Sequence, residues 1–308
     1  MKRALVVGAG GFVGGYLCRE LRNNGYEVFG GGRHTEPKCD LLDLENLREL
    51  LKKIQPNVIF NLAAQSSVKK SWQDPAGTFD INVKGSICLL EAVRTSNGSA
   101  RVVLIGSSEQ YGIPKGNGTE LVAFYEEMPL APQSPYGISK CTQEELGKLY
   151  ARVYGMDVVM TRSFNHIGVG QPRGFVIPDL ICGIVDVEQR KRTALSIGNL
   201  AISRDFTDVR DVVRAYRMIA EKGVRGETYN VGSGRAYCLQ DLLNRLIAMA
   251  RCEIPVQVDP ERMRPADLPY VLCSPQKIEK TINWKPEIEI QQTLNEMLED
   301  IRTNSEKG

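Results

Sequence analysis

A tyrosine and a lysine stand four residues apart in the segment 134–140, whose sequence is SPYGISK. If this segment begins a helix, Tyr136 and Lys140 lie on one face of it. A phenol titrates near about 10 in water, so it can exchange protons at neutral pH only where a neighbouring cation stabilises the phenolate. Lys140 is placed to be that cation. The same spacing also occurs on solvated helix faces, so the pair needs further support.

A strand predicted at 101–105, apolar from Val102 onward, is also followed by polar residues upstream of the tyrosine: Ser107, Ser108 and Glu109. Beside a bound dinucleotide, Ser107, Tyr136 and Lys140 predict hydride transfer at a carbonyl or a secondary alcohol. In the reducing direction Tyr136 would give its proton to the developing alkoxide and Ser107 would hold the same oxygen. Lys140 would bind the nicotinamide ribose. Ser108 is the alternative for the serine role, since either side chain could point inward from a strand end.

Three glycines near the start of the chain predict the dinucleotide site. The short apolar strand 4–7 is followed by the pattern GxxGxxG and then by a helical pattern. Such glycines allow a tight turn and a close approach to a pyrophosphate, whose charge the N–H groups and dipole of the helix N-terminus stabilise. A flexible turn is the alternative interpretation. The predicted contacts in this turn are Gly8, Gly11, Phe12, Val13 and Gly14.

The end of the second predicted strand, 27–30, bears on the choice of cofactor. NAD-selective sites usually place an acid there to bind the ribose 2′-hydroxyl, and this chain has none. An uncharged Gly32 followed by Arg33 can instead accept a 2′-phosphate, which favours NADP(H) and leaves NAD(H) possible. A solvated loop cation is the alternative for Arg33.

Two further positions are predicted to line the cofactor site. Asp40 and Leu41 follow a third short strand and could meet the adenine through a hydrogen bond and an apolar contact. The strand 57–64 ends in Leu62, Ala63 and Ala64, whose two small side chains would let a cofactor lie against the backbone. Close packing without a ligand would also explain these alanines.

The alternation of strand and helix patterns along the first half indicates a parallel sheet covered by helices on both faces. The predicted fold class is α/β, a Rossmann-type doubly wound sheet with a smaller C-terminal lobe that binds substrate. We place the dinucleotide-binding domain at residues 1–165, with parts of 200–235 crossing back to it, and the lobe at 166–308. Ligands bind at the carboxyl ends of strands in such sheets, which is where the glycine turn and the serines fall.

Composition excludes several classes of protein. The 308 residues are 42% hydrophobic with a net charge of +2, which gives no indication of nucleic-acid or membrane partners. The longest apolar runs are strand-sized and no signal peptide is visible, so we expect a cytoplasmic protein. The eight cysteines form no CxxC pair and the chain has two histidines, so we expect no metal site.

The second half carries arginines suited to phosphate. Arg204 and Arg264 stand in patterned stretches, and the guanidinium fork matches phosphate oxygens, while Asp267 could bind sugar hydroxyls. Structural ion pairs, such as Arg204 with Asp205 or Asp208, are an equally good explanation.

Taken together, these motifs resemble those of the extended short-chain dehydrogenases/reductases that act on nucleotide sugars. The glycine pattern, the alanine pair, Ser107, YxxxK and the closing motif Asn-Trp-Lys-Pro at 283–286 are shared by epimerases, dehydratases and reductases. The stretches 162–171, 198–200, 204–211 and 264–267 look most like those of members that reduce GDP-4-keto-6-deoxy sugars with NAD(P)H.

This resemblance implies roles for residues of the second half. It implies a nicotinamide pocket at Phe164, His166 and Ile167. It implies substrate contact from Asn165, contact of Arg204 and Arg264 with the GDP phosphates, and contact of Asp267 with the ribose. It also implies a GDP-sugar substrate and a homodimer built from helices that flank the sheet.

Three alternatives stay open from the sequence. Sugar-nucleotide 4,6-dehydratases use a glutamate at the offset of Glu109 from the serine to remove the C5 proton, so a dehydratase or a bifunctional enzyme is the first of them. Glu109 could equally be a polar residue at a strand end. A 4-epimerase is the second, and a catalytically silent dinucleotide-sensing protein is the third, although the intact Ser107, Tyr136 and Lys140 argue against that one.

Overall fold

The computed structural model describes residues 1–32, 35, 37–96, 99–112, 123–260 and 268–305. Its strands are β1 (Lys2–Val7), β2 (Tyr26–Gly31), β3 (Val58–Asn61), β4 (Arg101–Ser107), β5 (Val158–Ser163), β6 (Asn165–Ile167), β7 (Leu195–Ile197), β8 (Ser203–Asp208), β9 (Thr228–Val231), β10 (Ala236–Cys238), β11 (Val256–Val258) and β12 (Tyr270–Val271). Its helices are α1 (Phe12–Asn23), α2 (Leu44–Ile54), α3 (Val68–Gln73), α4 (Pro75–Phe79), α5 (Gly85–Thr95), α6 (Pro135–Val153), α7 (Val176–Glu188), α8 (Val209–Lys222), α9 (Leu239–Ala248), α10 (Gln276–Ile282) and α11 (Ile290–Ser305).

A six-stranded parallel sheet in the order β2-β1-β3-β4-β5-β9 organises the first part of the chain. The order reverses between β1 and β3, which is the topological switch point where doubly wound sheets bind ligands. The predicted fold class, a Rossmann-type doubly wound sheet, is confirmed.

Successive side chains of β1 face opposite layers of helices. Ala4 and Val6 belong to a core formed with α1, α8 and α10, whereas Leu5 and Val7 belong to a core formed with α2, α5 and α6. Because strand side chains alternate between faces, a strand covered on both sides must be apolar throughout. This is why the run at 4–7 shows no polar alternation.

A smaller group of strands and helices follows β5. β8 pairs with β6, β10 and β12, and β7 forms a separate pair with β11. The helices α7, α9 and α11 contribute to the apolar core of this lobe. Between these elements, α8 packs against α1 and β9 adds the sixth strand to the large sheet. The domain boundary at residue 165 stays a prediction.

One local prediction differs from the structure. The third strand expected before Asp40 is reduced, within the described residues, to one isolated bridge between Gly32 and Lys38. Before α5, Asn82 lies inside a π-helical turn, Asp80–Lys84, that leads into that helix. Among the helices of the described ranges, none combines the length and apolar character needed to cross a bilayer.

Candidate active site

The glycine turn after β1 leaves a space that side chains at the glycine positions would fill. Gly8 has a φ of +89°, and a β-carbon there would lie 2.8 Å from the Ala63 nitrogen. A β-carbon at Gly14 would collide with the Gly8 carbonyl, so only glycines let α1 begin this close to the sheet. Gly11 is the N-cap of α1, and this glycine has no side chain to cap the helix. The N–H groups of its first turn therefore suit a pyrophosphate, as the sequence predicts.

The other predicted cofactor contacts lie around this turn or in the core. Phe12 and Val13, in the first turn of α1, are half-buried, as are Leu62, Ala63 and Ala64 after β3. The Leu42 N–H donates to the Asp40 carboxylate at 3.0 Å, whereas Leu41 is buried in the core beneath α2 and α5. Arg33 lies outside the described residues.

The segment after β5 rests on α1 beside the glycine turn. The Phe12 and His166 rings stack with their centroids 6.4 Å apart, and the Tyr16 hydroxyl donates to the Val169 carbonyl at 2.8 Å. His166 Nδ1 lies 3.0 Å from the Phe164 carbonyl oxygen, and burial lowers the pKa of this imidazole. Phe164 and Ile167 are buried, whereas Asn165 between them is exposed.

Ser107 and Tyr136 meet at the carboxyl edge of the sheet. Ser107 is the last residue of β4, and Tyr136 lies in the first turn of α6, whose N-cap Ser134 accepts a hydrogen bond from the Gly137 N–H at 3.0 Å. The phenol is only 8% exposed. Burial raises the pKa of Tyr136 to about 12, while its hydrogen bond with Ser107 lowers that pKa and the charge of Glu109 raises it. The phenol is therefore protonated at neutral pH.

Lys140 lies one turn further along α6 and points into the interior. Its ammonium donates to the Ile105 carbonyl at 2.7 Å and to Gln143 Oε1 at 2.9 Å. Burial lowers the pKa of Lys140 to about 7. Within the described residues no hydrogen bond joins Lys140 to Tyr136. The sequence predicts that Lys140 lowers the pKa of the Tyr136 phenol, but the structure shows that pKa raised.

Ser108 and Glu109 form a short 3-10 turn, Ser108–Gln110, directly after β4. Ser108 is half-exposed and Glu109 is exposed. The influence of Glu109 on the Tyr136 pKa means that its carboxylate lies within electrostatic reach of the phenol. The structure thus brings Ser107, Glu109 and Tyr136 together, with Lys140 behind them.

Sequence comparisons identify the chain's relatives. Residues 5–297 match the protein family described as GDP-mannose 4,6 dehydratase. The chain belongs to the GDP-mannose 4,6-dehydratase family. It is 33% identical to the GDP-6-deoxy-D-mannose reductase of Pseudomonas aeruginosa, with 97% of both chains covered. It is 26% identical to the GDP-mannose 4,6-dehydratase of Vibrio cholerae, over 98% of this chain and 94% of the other.

The fold of a solved relative agrees with this family assignment. RMD from Pseudomonas aeruginosa, determined in complex with NADPH, superposes with a TM-score of 0.90 at 32% identity and covers 99% of this chain and 100% of its own. The chain is thus an enzyme of the NAD(P)-dependent nucleotide-sugar short-chain dehydrogenases/reductases. The predicted preference, NADP(H) with NAD(H) possible, agrees with this neighbour.

The residues predicted to contact the substrate are described in part. On β8, Arg204 Nη1 donates to the carbonyls of Ser203 at 2.9 Å and Leu268 at 2.7 Å. Its neighbour Asp205 is buried and accepts hydrogen bonds from the Ser233, Gly234 and Cys273 N–H groups. Arg264 and Asp267 lie outside the described residues. Within the described ranges no group of three or more His, Cys, Asp or Glu could hold a metal ion.

A buried polar network behind the tyrosine was missed from the sequence. Asn82 Nδ2 donates to Ser139 Oγ at 2.9 Å, and its Oδ1 accepts from the Gln65 N–H at 2.8 Å. The Ser139 hydroxyl donates in turn to the Tyr136 carbonyl at 2.7 Å. This network fixes the first turns of α6, on which the family's tyrosine and lysine lie, to the π-helical turn. The polar Asn82 within an apolar helix pattern was the one available signal.

Proposed function

We propose that this chain reduces GDP-4-keto-6-deoxy-D-mannose to GDP-D-rhamnose, with NADPH favoured over NADH as the hydride donor. The observation that carries the proposal is the buried Tyr136 phenol, hydrogen-bonded with Ser107 at the carboxyl edge of the sheet beside the glycine turn. The similarity to the Pseudomonas reductase, which extends over nearly the whole of both chains, supports reduction rather than another reaction of the family.

Ser107 and Tyr136 each have a role in delivering a proton to the C4 oxygen of the sugar. When bound, the nicotinamide cofactor supplies the hydride that reaches the sugar C4. Ser107 donates a hydrogen bond to the C4 oxygen as negative charge develops on it. Tyr136, whose pKa of about 12 keeps it protonated, then gives its proton to that oxygen, because an alkoxide is a stronger base than a phenolate. Lys140 binds the nicotinamide ribose.

The remaining predicted contacts belong to the same proposal. The turn at 8–14 holds the pyrophosphate, and Arg33 holds the 2′-phosphate. Phe164, His166 and Ile167 flank the nicotinamide. Ser108 and Asn165 contact the sugar, and Arg204, Arg264 and Asp267 contact the GDP moiety. We further propose a homodimer that works in the cytoplasm.

A second candidate is GDP-mannose 4,6-dehydration, alone or combined with reduction. The observation that favours it is the position of Glu109, an exposed carboxylate whose charge reaches the Tyr136 phenol. There it could remove the C5 proton as a general base.

Two incubations separate the candidates. The purified protein is given GDP-mannose with catalytic cofactor in one, and the 4-keto-6-deoxy sugar with NADPH in the other. A reductase consumes NADPH in the second and leaves GDP-mannose unchanged in the first. Glu109→Gln is the matched variant, because it keeps the shape of the side chain and removes its charge. We expect it to reduce the ketosugar at close to the wild-type rate; loss of reduction with retained dehydration would refute the assigned roles.

A further inference from the structure

A chain of buried side chains connects the interior of the protein to Ser107. The Gln110 Oε1 accepts a hydrogen bond from the Ser107 N–H at 2.9 Å, and the Gln110 Nε2 donates to Glu144 Oε2 at 2.7 Å. Arg162 donates from Nε and Nη2 to the two oxygens of Glu144 at 2.8 and 2.7 Å. Gln110, Glu144 and Arg162 are at most 3% exposed.

The two residues that Gln110 connects, Ser107 and Glu144, lie on the elements that carry the reacting groups. Ser107 ends β4, and Glu144 follows Tyr136 and Lys140 on the same face of α6 at intervals of four residues. Breaking the hydrogen bonds of Gln110 would therefore alter the position of Ser107 relative to α6. Gly106 allows this arrangement, because a β-carbon there would collide with the Gln110 amide and with the Thr161 carbonyl.

The orientation of the Gln110 amide is determined by its partners. A backbone N–H only donates, and an ionised carboxylate only accepts. Burial raises the pKa of Glu144, but the hydrogen bonds and charges of Arg162 and Lys148 together outweigh it and lower that pKa to about 2, so Glu144 is kept ionised. A side-chain amide can accept from the Ser107 N–H through its oxygen and donate to Glu144 through its nitrogen at the same time.

From this geometry we propose that Gln110 is a positioning residue for hydride transfer. Its amide connects Ser107 to the buried Arg162–Glu144 ion pair and so holds the serine against the Tyr136 phenol. The proposal rests on the proposed function, in that it concerns the same serine and tyrosine. Ser107 Oγ has one further link within the turn, the Glu109 N–H at 3.3 Å, which is a long hydrogen bond. The hydrogen bond from the Ser107 N–H to Gln110, at 2.9 Å, is the shorter of these two links.

The test compares Gln110→Glu with the double swap Gln110→Glu/Glu144→Gln. The single variant sets two carboxylates against each other, and we expect kcat to fall about 10- to 100-fold while KM and the Kd for NADPH change by less than about twofold. In the swap, the carboxylate now at position 110 again accepts from Ser107. The amide now at position 144 donates to that carboxylate and accepts from Arg162 Nη2, while Arg162 Nε loses its acceptor. We therefore expect the swap to recover part of the lost kcat. Gln189→Met, which removes a partly buried hydrogen bond to Ser305 in the lobe, controls for a general loss of stability.

Three results would overturn the inference: wild-type kcat in Gln110→Glu, parallel loss of kcat and NADPH binding, or no recovery in the swap. If Gln110→Glu does not fold, Gln110→Met replaces it with the same expectation. If the wild type does not reduce the ketosugar, the proposed function fails, and the inference is judged on crystal structures of the wild type and Gln110→Met. An unchanged separation of Ser107 Oγ and the Tyr136 hydroxyl oxygen in these structures overturns it; a longer one in the variant supports it.

Discussion

Replacing Lys140 by methionine is expected to change how the stability of the protein depends on pH. The lysine is 3% exposed, and its ammonium has two carbonyl-type acceptors, the Ile105 backbone and the Gln143 amide. Burial lowers the pKa of Lys140 from 10.5 to about 7 in the folded protein. Between these two pKa values the unfolded chain therefore binds one proton more than the native chain at this residue, so the native state gains stability as the pH rises.

The size of the effect follows from the two pKa values. Each unit of pKa difference corresponds to about 1.4 kcal/mol, so the Lys140 contribution to the free energy of unfolding rises by about 3 kcal/mol from about pH 7 to about pH 9.5. Lys140→Met lacks this contribution. It also loses two hydrogen bonds, but that loss is nearly the same at both pH values. The wild type should thus gain about 3 kcal/mol over the variant across this interval.

Urea unfolding followed by circular dichroism at the two pH values measures the difference without added nucleotide. Lys52→Met, an exposed position on α2, corrects for the removal of one positive charge. A wild-type-minus-variant difference that is constant within about 0.5 kcal/mol across the interval would refute the reasoning, because Lys140 would then be charged in the native state throughout.

Three other substitutions test the proposed roles of single side chains. Tyr136→Phe removes the proton donor, and we expect kcat to fall by about 10²- to 10⁴-fold with the Kd for NADPH retained, as measured by fluorescence titration; wild-type turnover would contradict the role. Glu144 has a pKa lowered from 4.5 to about 2, so it stabilises the native state above pH 4.5 and this stability is lost as the pH falls towards 2. Glu144→Gln should therefore be less stable than wild type at about pH 7, with a smaller relative deficit at about pH 3, and equal deficits at both would count against the ion pair. Arg204→Ala should raise KM for the GDP-sugar by about 10-fold or more with kcat less affected, and an unchanged KM would remove Arg204 from the phosphate site.

The features predicted from the sequence are those that local spacing determines. The apolar runs at 4–7 and 102–105 specify strands buried on both faces, and the glycine pattern specifies the turn between β1 and α1. The four-residue spacing of Tyr136 and Lys140 places both on α6. These predictions depend only on periodicity and backbone sterics, which are properties of short segments.

The features that could not be predicted depend on contacts between distant segments. The Gln110–Glu144 hydrogen bond spans 34 residues, and nothing in either segment indicates its partner. The direction of the Lys140 side chain depends on the end of β4, 35 residues upstream. The next spacing of four along α6, from Lys140 to Glu144, was an available signal, but a glutamate on a helix more often lies on a solvated face.

The proposed reaction is tested most directly by following the hydride. The purified protein is incubated with GDP-4-keto-6-deoxy-D-mannose and NADPH deuterated at C4 of the nicotinamide, and the sugar product is examined by NMR. We predict one deuterium at the sugar C4 and one NADPH oxidised for each product formed. A sugar product without deuterium, formed with no net oxidation of NADPH, would contradict the proposed reduction.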